Sequence, residues 1–166
     1  LVDRSLSALD AILTATPYLA GSRPSLADAA LWGFLDAGLL WEPKPKVHVQ
    51  ARYPRVVAFH ARLRALADAG GQPLGRWDSL ETVAARLAPL LATDAMGFEP
   101  FQQANRAAMA DGTKQLVIDG ADCPARGFTE KNRQALGQAM RALPEADRAR
   151  LDAVAGDWPL VHAYLA

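Results

Sequence analysis

The tightest constraint on this chain is Ser25-Leu26-Ala27-Asp28 standing directly before a long apolar run. A serine followed three residues later by an acid has the spacing of a capping box. The Ser25 hydroxyl accepts the Asp28 N–H, and the Asp28 carboxylate reaches back to the N–H of Ser25. The helix it starts is expected to run to about Leu40. Leu26, Ala29, Ala30, Leu31, Phe34, Leu35, Ala37 and Leu39 surround its axis, which predicts a helix buried on every side in the middle of a bundle. Gly33 and Gly38 each weaken a helix by about 1 kcal/mol relative to alanine, and predict close helix contacts or a bend.

The rest of the chain reads as mostly helical. Val2, Leu6, Leu9 and Leu13 recur at helical spacing, giving a helix over residues 2–15 that ends before Pro17. Tyr18 to Gly21 forms a turn. Two prolines in Glu42-Pro43-Lys44-Pro45-Lys46 predict a loop. Tyr53-Pro54 opens the next helix, with Val56, Phe59, Leu63 and Leu66 inward, and Arg55, Arg62 and Arg64 toward water. Gly70-Gly71 ends it, and residues 70–77 form the expected boundary between a core of residues 1–70 and an extension of residues 76–166.

In that extension, Asp78 to Glu81 resembles a second capping box, leading into Leu80, Val83, Leu87 and Leu90. Pro89 is expected to kink or shorten this helix. Phe98, Phe101, Ala104, Ala108 and Met109 predict a further helix closed by Gly112. Gln115 to Asp119 is β-branched at its centre and runs into Gly120, predicting a short strand or hairpin within about 115–126. Leu136, Met140 and Leu143 mark another helix, and Pro144 begins a short charged one through about Val154. The fold class is therefore all-α, a helical bundle with a helical extension and at most one hairpin.

Composition removes several function classes. Eighteen basic residues balance eighteen acidic ones, without the basic face of a nucleic-acid binder. The 51% hydrophobic content suffices for a core and argues against disorder. The longest apolar region, Ala29 to Trp41, is interrupted by Asp36 and falls short of the roughly 18 residues a membrane helix needs, so no membrane partner is expected. Cys123 stands alone, which rules out an internal disulfide or a cysteine-based metal cluster and fits a reducing cytoplasm. The chain starts at Leu1 inside a helical pattern, as a fragment or processed chain would.

Catalytic and metal signatures are weak. His48, His60 and His162 lack ligand spacing, so no metal site is predicted, and His60 is placed on a helix flank. Cys123 precedes Pro124 and is expected in a loop as an inert thiol. Asp119 and Asp122 flank Gly120-Ala121 and read as a turn. Gly70, Gly71 and Gly75 do not make a phosphate loop. Trp32 and Trp41 lie at opposite ends of one apolar helix, followed by Tyr53 and Phe59; each reads first as core or boundary packing, with an apolar ligand pocket between helices as the alternative.

Feature order adds a family resemblance. Pro17-Tyr18-Leu19-Ala20-Gly21-Ser22-Arg23-Pro24-Ser25-Leu26-Ala27-Asp28 resembles the loop and capping box that open the central helix of glutathione-transferase C-terminal domains. Tyr53-Pro54-Arg55 with Phe59 looks like the next helix of that domain. Together they cover roughly residues 1–70. Leu87-Ala88-Pro89-Leu90-Leu91, Pro100-Phe101 with Ala104-Asn105, Ile118-Asp119-Gly120 and Glu42-Pro43-Lys44-Pro45 resemble, more loosely, an extended bacterial subgroup.

The resemblance implies a thioredoxin-like N-terminal domain that binds glutathione and supplies the activating residue. Neither that domain nor the first helix of the C-terminal domain is read in this chain. No family catalytic residue maps onto it, so alone it is expected to be inactive and to bind no cofactor. Glutathione is then the co-substrate of the full-length protein. This half would supply the pocket for a small apolar electrophile, with Trp32, Leu35 and Trp41 as candidate lining residues, together with a domain interface and a homodimer contact. The alternative is a non-catalytic ligand-binding or protein-interaction module of the same fold.

Overall fold

The computed structural model describes residues 2–70, 74–155, 158, 161 and 164, omitting the side chains of residues 94 and 95. Among the described residues the regular structure is helical apart from one hairpin, the all-α class expected. It divides into two compact units, Val2–Leu90 and Leu91–Ala166.

In the first unit, α1 (Val2–Ala15) ends before Pro17 as its spacing predicts. α2 (Leu26–Phe34) begins at the Ser25 cap, with both arms of the capping box present. It continues into a π-helical turn, Leu35–Leu40, where the Trp41 N–H bonds to the Asp36 carbonyl at 2.9 Å. Gly38 lies within this wider turn. The expected close contacts are missing, because a Cβ at Gly33 would meet nothing within 4 Å and one at Gly38 only the Phe34 ring.

The loop expected at residues 42–46 is instead the start of α3 (Pro43–Arg52). Its first helical donor is the Lys46 N–H, bonded to the Glu42 carbonyl at 3.0 Å. Both prolines precede that donor, where a missing N–H breaks no helical bond. α4 (Pro54–Asp68) follows with Pro54 in its first turn. Leu6, Leu9 and Ile12 of α1 pack with Leu35, Val49, Tyr53, Val56 and Phe59 in the core, beside Tyr18 and Leu19.

The helix expected to be buried all round is covered on one side only among the described residues. Asp28 and Leu35 are fully buried, while Leu26, Phe34 and Trp41 are 86%, 60% and 78% exposed. An apolar stripe can be covered only where another element reaches it, and composition alone does not say which neighbours are present.

Residues 74–90 belong with the first unit. Ala20 accepts the Asp78 N–H at 2.8 Å, and Arg76 accepts the N–H groups of Ser22 and Arg23 at 3.1 and 3.2 Å. Gly21 is central to this seam, with φ +132° and a prospective Cβ only 2.8 Å from the Arg76 carbonyl oxygen. Gly21→Ala is expected to destabilise the chain by about 2 kcal/mol through backbone strain and overpacking. Urea unfolding measures this, and an unchanged midpoint would refute the tight approach.

α5 (Leu80–Ala110) is one helix where the sequence predicts two. Pro89 cannot donate to the Ala85 carbonyl, yet its φ suits a helix and the 31-residue element continues through it. The cap is Ser79, whose Oγ accepts the Thr82 N–H at 3.3 Å. Asp78, expected to serve as the cap, instead pairs with Arg86.

The second unit contains the later part of α5, hairpin strands β1 (Gln115–Ile118) and β2 (Ala121–Pro124), α6 (Gly127–Arg141) and α7 (Glu145–Ala155). Asp119 and Gly120 take φ of 51° and 78°, the left-handed pair of a tight hairpin turn. Cys123 lies in β2 opposite Leu116 and is half-buried, rather than in a loop, because pairing continues to Pro124. Buried Asn105 accepts the Arg126 N–H at 2.6 Å and donates to the Arg126 carbonyl at 3.2 Å. Arg133 forms two 3.0 Å bonds to Glu130 and holds that carboxyl below its ordinary value.

Candidate functional site

A groove of about 510 Å³ opens within the first unit, lined by Pro24, Ser25, Ala29, Trp32, Leu63, Leu66, Ala67 and Gly70. Local sequence explains its walls. The cap at Ser25 sets the phase of α2, which puts Ala29 and Trp32 three residues apart on one face. On α4, Leu63, Leu66 and Ala67 share a face by the same spacing. Small side chains at Ala29 and Ala67, and none at Gly70, leave the space between the helices open. The Ser25 hydroxyl is already engaged, donating to Asp28 Oδ2 at 2.6 Å. The lining is otherwise apolar.

Trp32 is held by His60. Its ring stacks on His60 with centroids 5.2 Å apart and planes 6° apart, and its Nε1–H donates to the His60 carbonyl at 3.1 Å. His60 Nε2 lies 2.9 Å from Asp36 Oδ1 in the π turn. His60 thus occupies the helix flank its spacing predicts, with a carboxylate partner that only the folded chain supplies.

Of the three candidate pocket residues, Trp32 lines this groove. Leu35 is 0% exposed and belongs to the core beneath. Trp41 follows the π turn and is exposed, away from the groove lining. Leu63 packs against the core as its spacing predicts, while Leu66 is half-buried at the groove; the spacing assigns neither to a pocket. Their i, i+3 spacing, continued to Ala67 and Gly70, is the available signal. His162 and Gly71 lie outside the described residues.

A second polar cluster joins α1, α3 and the start of α4. Asp3 Oδ1 accepts the Tyr53 hydroxyl at 2.9 Å and lies 2.6 Å from His48 Nε2. The His48 bond, then the Tyr53 bond, hold the Asp3 carboxyl below its usual value. Burial first, then Asp3, push the Tyr53 hydroxyl up. Asp3 and His48 are exposed while Tyr53 belongs to the core, so the cluster ties α1 and α3 to the core edge where α4 begins. Among the described residues, no group of three or more His, Cys, Asp or Glu side chains is placed to hold a metal ion. No helix among them is long and apolar enough to cross a membrane.

Comparison with known proteins adds one result. Residues 1–67 match the family model described as the glutathione S-transferase C-terminal domain. No curated protein and no solved structure matches the chain. The matched stretch holds the Tyr18–Asp28 loop and cap, the core helices α1 to α4 and all but one of the groove residues. Over residues 1–67, this chain is similar to the glutathione S-transferase C-terminal domain.

Proposed function

We propose that the chain is the C-terminal part of a glutathione-transferase-like protein, in which the α2–α4 groove receives a small apolar electrophile. The observation that carries this reading is the groove itself, lodged in the family-matched segment and walled by Trp32. Its volume falls in the roughly 300–1,000 Å³ range of small-molecule sites. A thioredoxin-like domain would bind glutathione and lower its thiol pKa. The thiolate would then attack the electrophilic carbon, forming a C–S bond and expelling the leaving group. The exposed apolar side of α2, marked by Leu26 and Phe34 and continued at Trp41, is the proposed interface for that domain, because surfaces of this kind mark binding faces.

The test is titration of the 166-residue chain with chlorodinitrobenzene, followed by tryptophan quenching, with and without glutathione. Binding without conjugation is expected, and Trp32→Ala should weaken it about tenfold, the scale of losing one aromatic contact. Failure to bind, or equal binding by the variant, would refute the groove assignment. The same open face of α2 also suits a non-catalytic interaction module. Glutathione binding and conjugation by a protein that includes the thioredoxin-like domain would decide for the enzyme, and their absence for the module.

A further inference from the structure

We propose that His60 and Asp36 are positioning residues that fix the Trp32 ring as a flat wall, making the groove selective for planar aromatic ligands. The inference rests on the groove being a ligand site, as proposed above. Its own basis is a single seam between two helices. On the α2 side, Ala29, Trp32 and Asp36 succeed one another at helical spacing, and on α4 so do His60, Leu63 and Ala67. The groove takes Ala29, Trp32, Leu63 and Ala67. His60 and Asp36 continue the same seam one turn further, where it changes from apolar to polar.

Three contacts act in series there. The indole N–H bond to the His60 carbonyl sets the ring's rotation about its side chain. The parallel imidazole covers one indole face. The Asp36 carboxylate, carried by the π turn, then fixes the imidazole at 2.9 Å. A π turn inside a helix often accompanies a functional position, and here it carries the carboxylate that completes the chain of contacts. With the Ser25 hydroxyl bound to Asp28, none of the lining side chains has a free polar group to orient a ligand. Shape against a held indole is then the available basis for discrimination.

The experiment compares naphthalene with decalin, an uncharged ligand of similar size that is not flat. Each is titrated into the 166-residue chain by displacement of the neutral fluorophore phenylnaphthylamine. The chain is expected to prefer naphthalene by about tenfold, the scale of an oriented aromatic contact. His60→Ala and Asp36→Ala should each reduce that preference to about twofold, with decalin affinity nearly unchanged. His60→Phe keeps a ring against the indole but breaks the bond to Asp36, and it carries the test if His60→Ala fails to fold. An unchanged preference in folded variants would overturn the positioning role and leave the groove assignment standing. Equal weakening of both ligands would show general loosening and would also overturn it. If the unaltered chain binds neither ligand, the groove reading fails and this inference fails with it.

Discussion

Asp28→Ala is expected to lower stability by about 3 to 4 kcal/mol, well beyond the loss of an ordinary helix cap. A capping box read from sequence alone predicts about 0.5–2 kcal/mol. The structure raises that figure because the same carboxylate performs a second task. Asp28 Oδ2 accepts the Ser25 N–H at 2.7 Å, while Oδ1 accepts the Leu19 N–H at 2.8 Å. Asp28 is fully buried, so alanine would leave the buried Leu19 donor without a partner, a further cost of about 1–3 kcal/mol.

Ser25→Ala should cost only about 1 kcal/mol, since its accepted bond from the Asp28 N–H is long at 3.4 Å. Thermal unfolding reads the difference, with a drop of about 10 °C expected for Asp28→Ala. Equal effects of the two substitutions would show that the box acts only as a local cap. The larger Asp28 effect would establish that it also anchors the Tyr18–Gly21 turn on which residues 76–78 pair.

Asp10→Ala should cost about 3 kcal/mol, for the two helix-start donors it leaves stranded. α4 begins at Pro54, and its N-cap residue, Tyr53, makes no side-chain cap bond. Asp10 on α1 performs that role from 45 residues away. Its Oδ1 accepts the Arg55 N–H at 2.9 Å and the Val56 N–H at 3.3 Å. Removing it strands both, each worth about 1–3 kcal/mol where buried. Asp10 Oδ2 also pairs with the Arg55 guanidinium at 2.9 Å, but that side chain is half exposed and the pair contributes little. Arg55→Ala should therefore cost under about 1 kcal/mol. Urea unfolding of both variants tests the assignment, and equal losses would place the energy in the ion pair rather than in the cap.

These two aspartates show which features are legible in the sequence. The Ser25–Asp28 box lies within four consecutive residues, so spacing alone exposes it. Asp10 caps a helix to which it is not adjacent, and nothing in its neighbourhood distinguishes it from a solvent-facing acid. The groove divides in the same way. Trp32 stands out as an aromatic residue on an apolar helix, and Leu63 and Leu66 as inward-facing. Their meeting across α2 and α4 depends on packing, as does the His60–Asp36 pair, whose members are 24 residues apart.

Local physics accounts for the departures as well. Prolines such as those at 43 and 45 break a helix only after its first N–H donor, and both stand before it. Pro89 and the apolar residues around it suggest two shorter helices, whereas α5 runs through them.

The sequence by itself determined the helical class, the start of α2, the limits of α1, the hairpin within residues 115–126 and the family resemblance, because each depends on interactions between near neighbours. The tertiary structure alone decided which face of α2 is covered, where α4 finds its cap and which residues surround the groove. Those outcomes depend on distant segments meeting, and residue periodicity records the face a helix offers without recording the partner that reaches it.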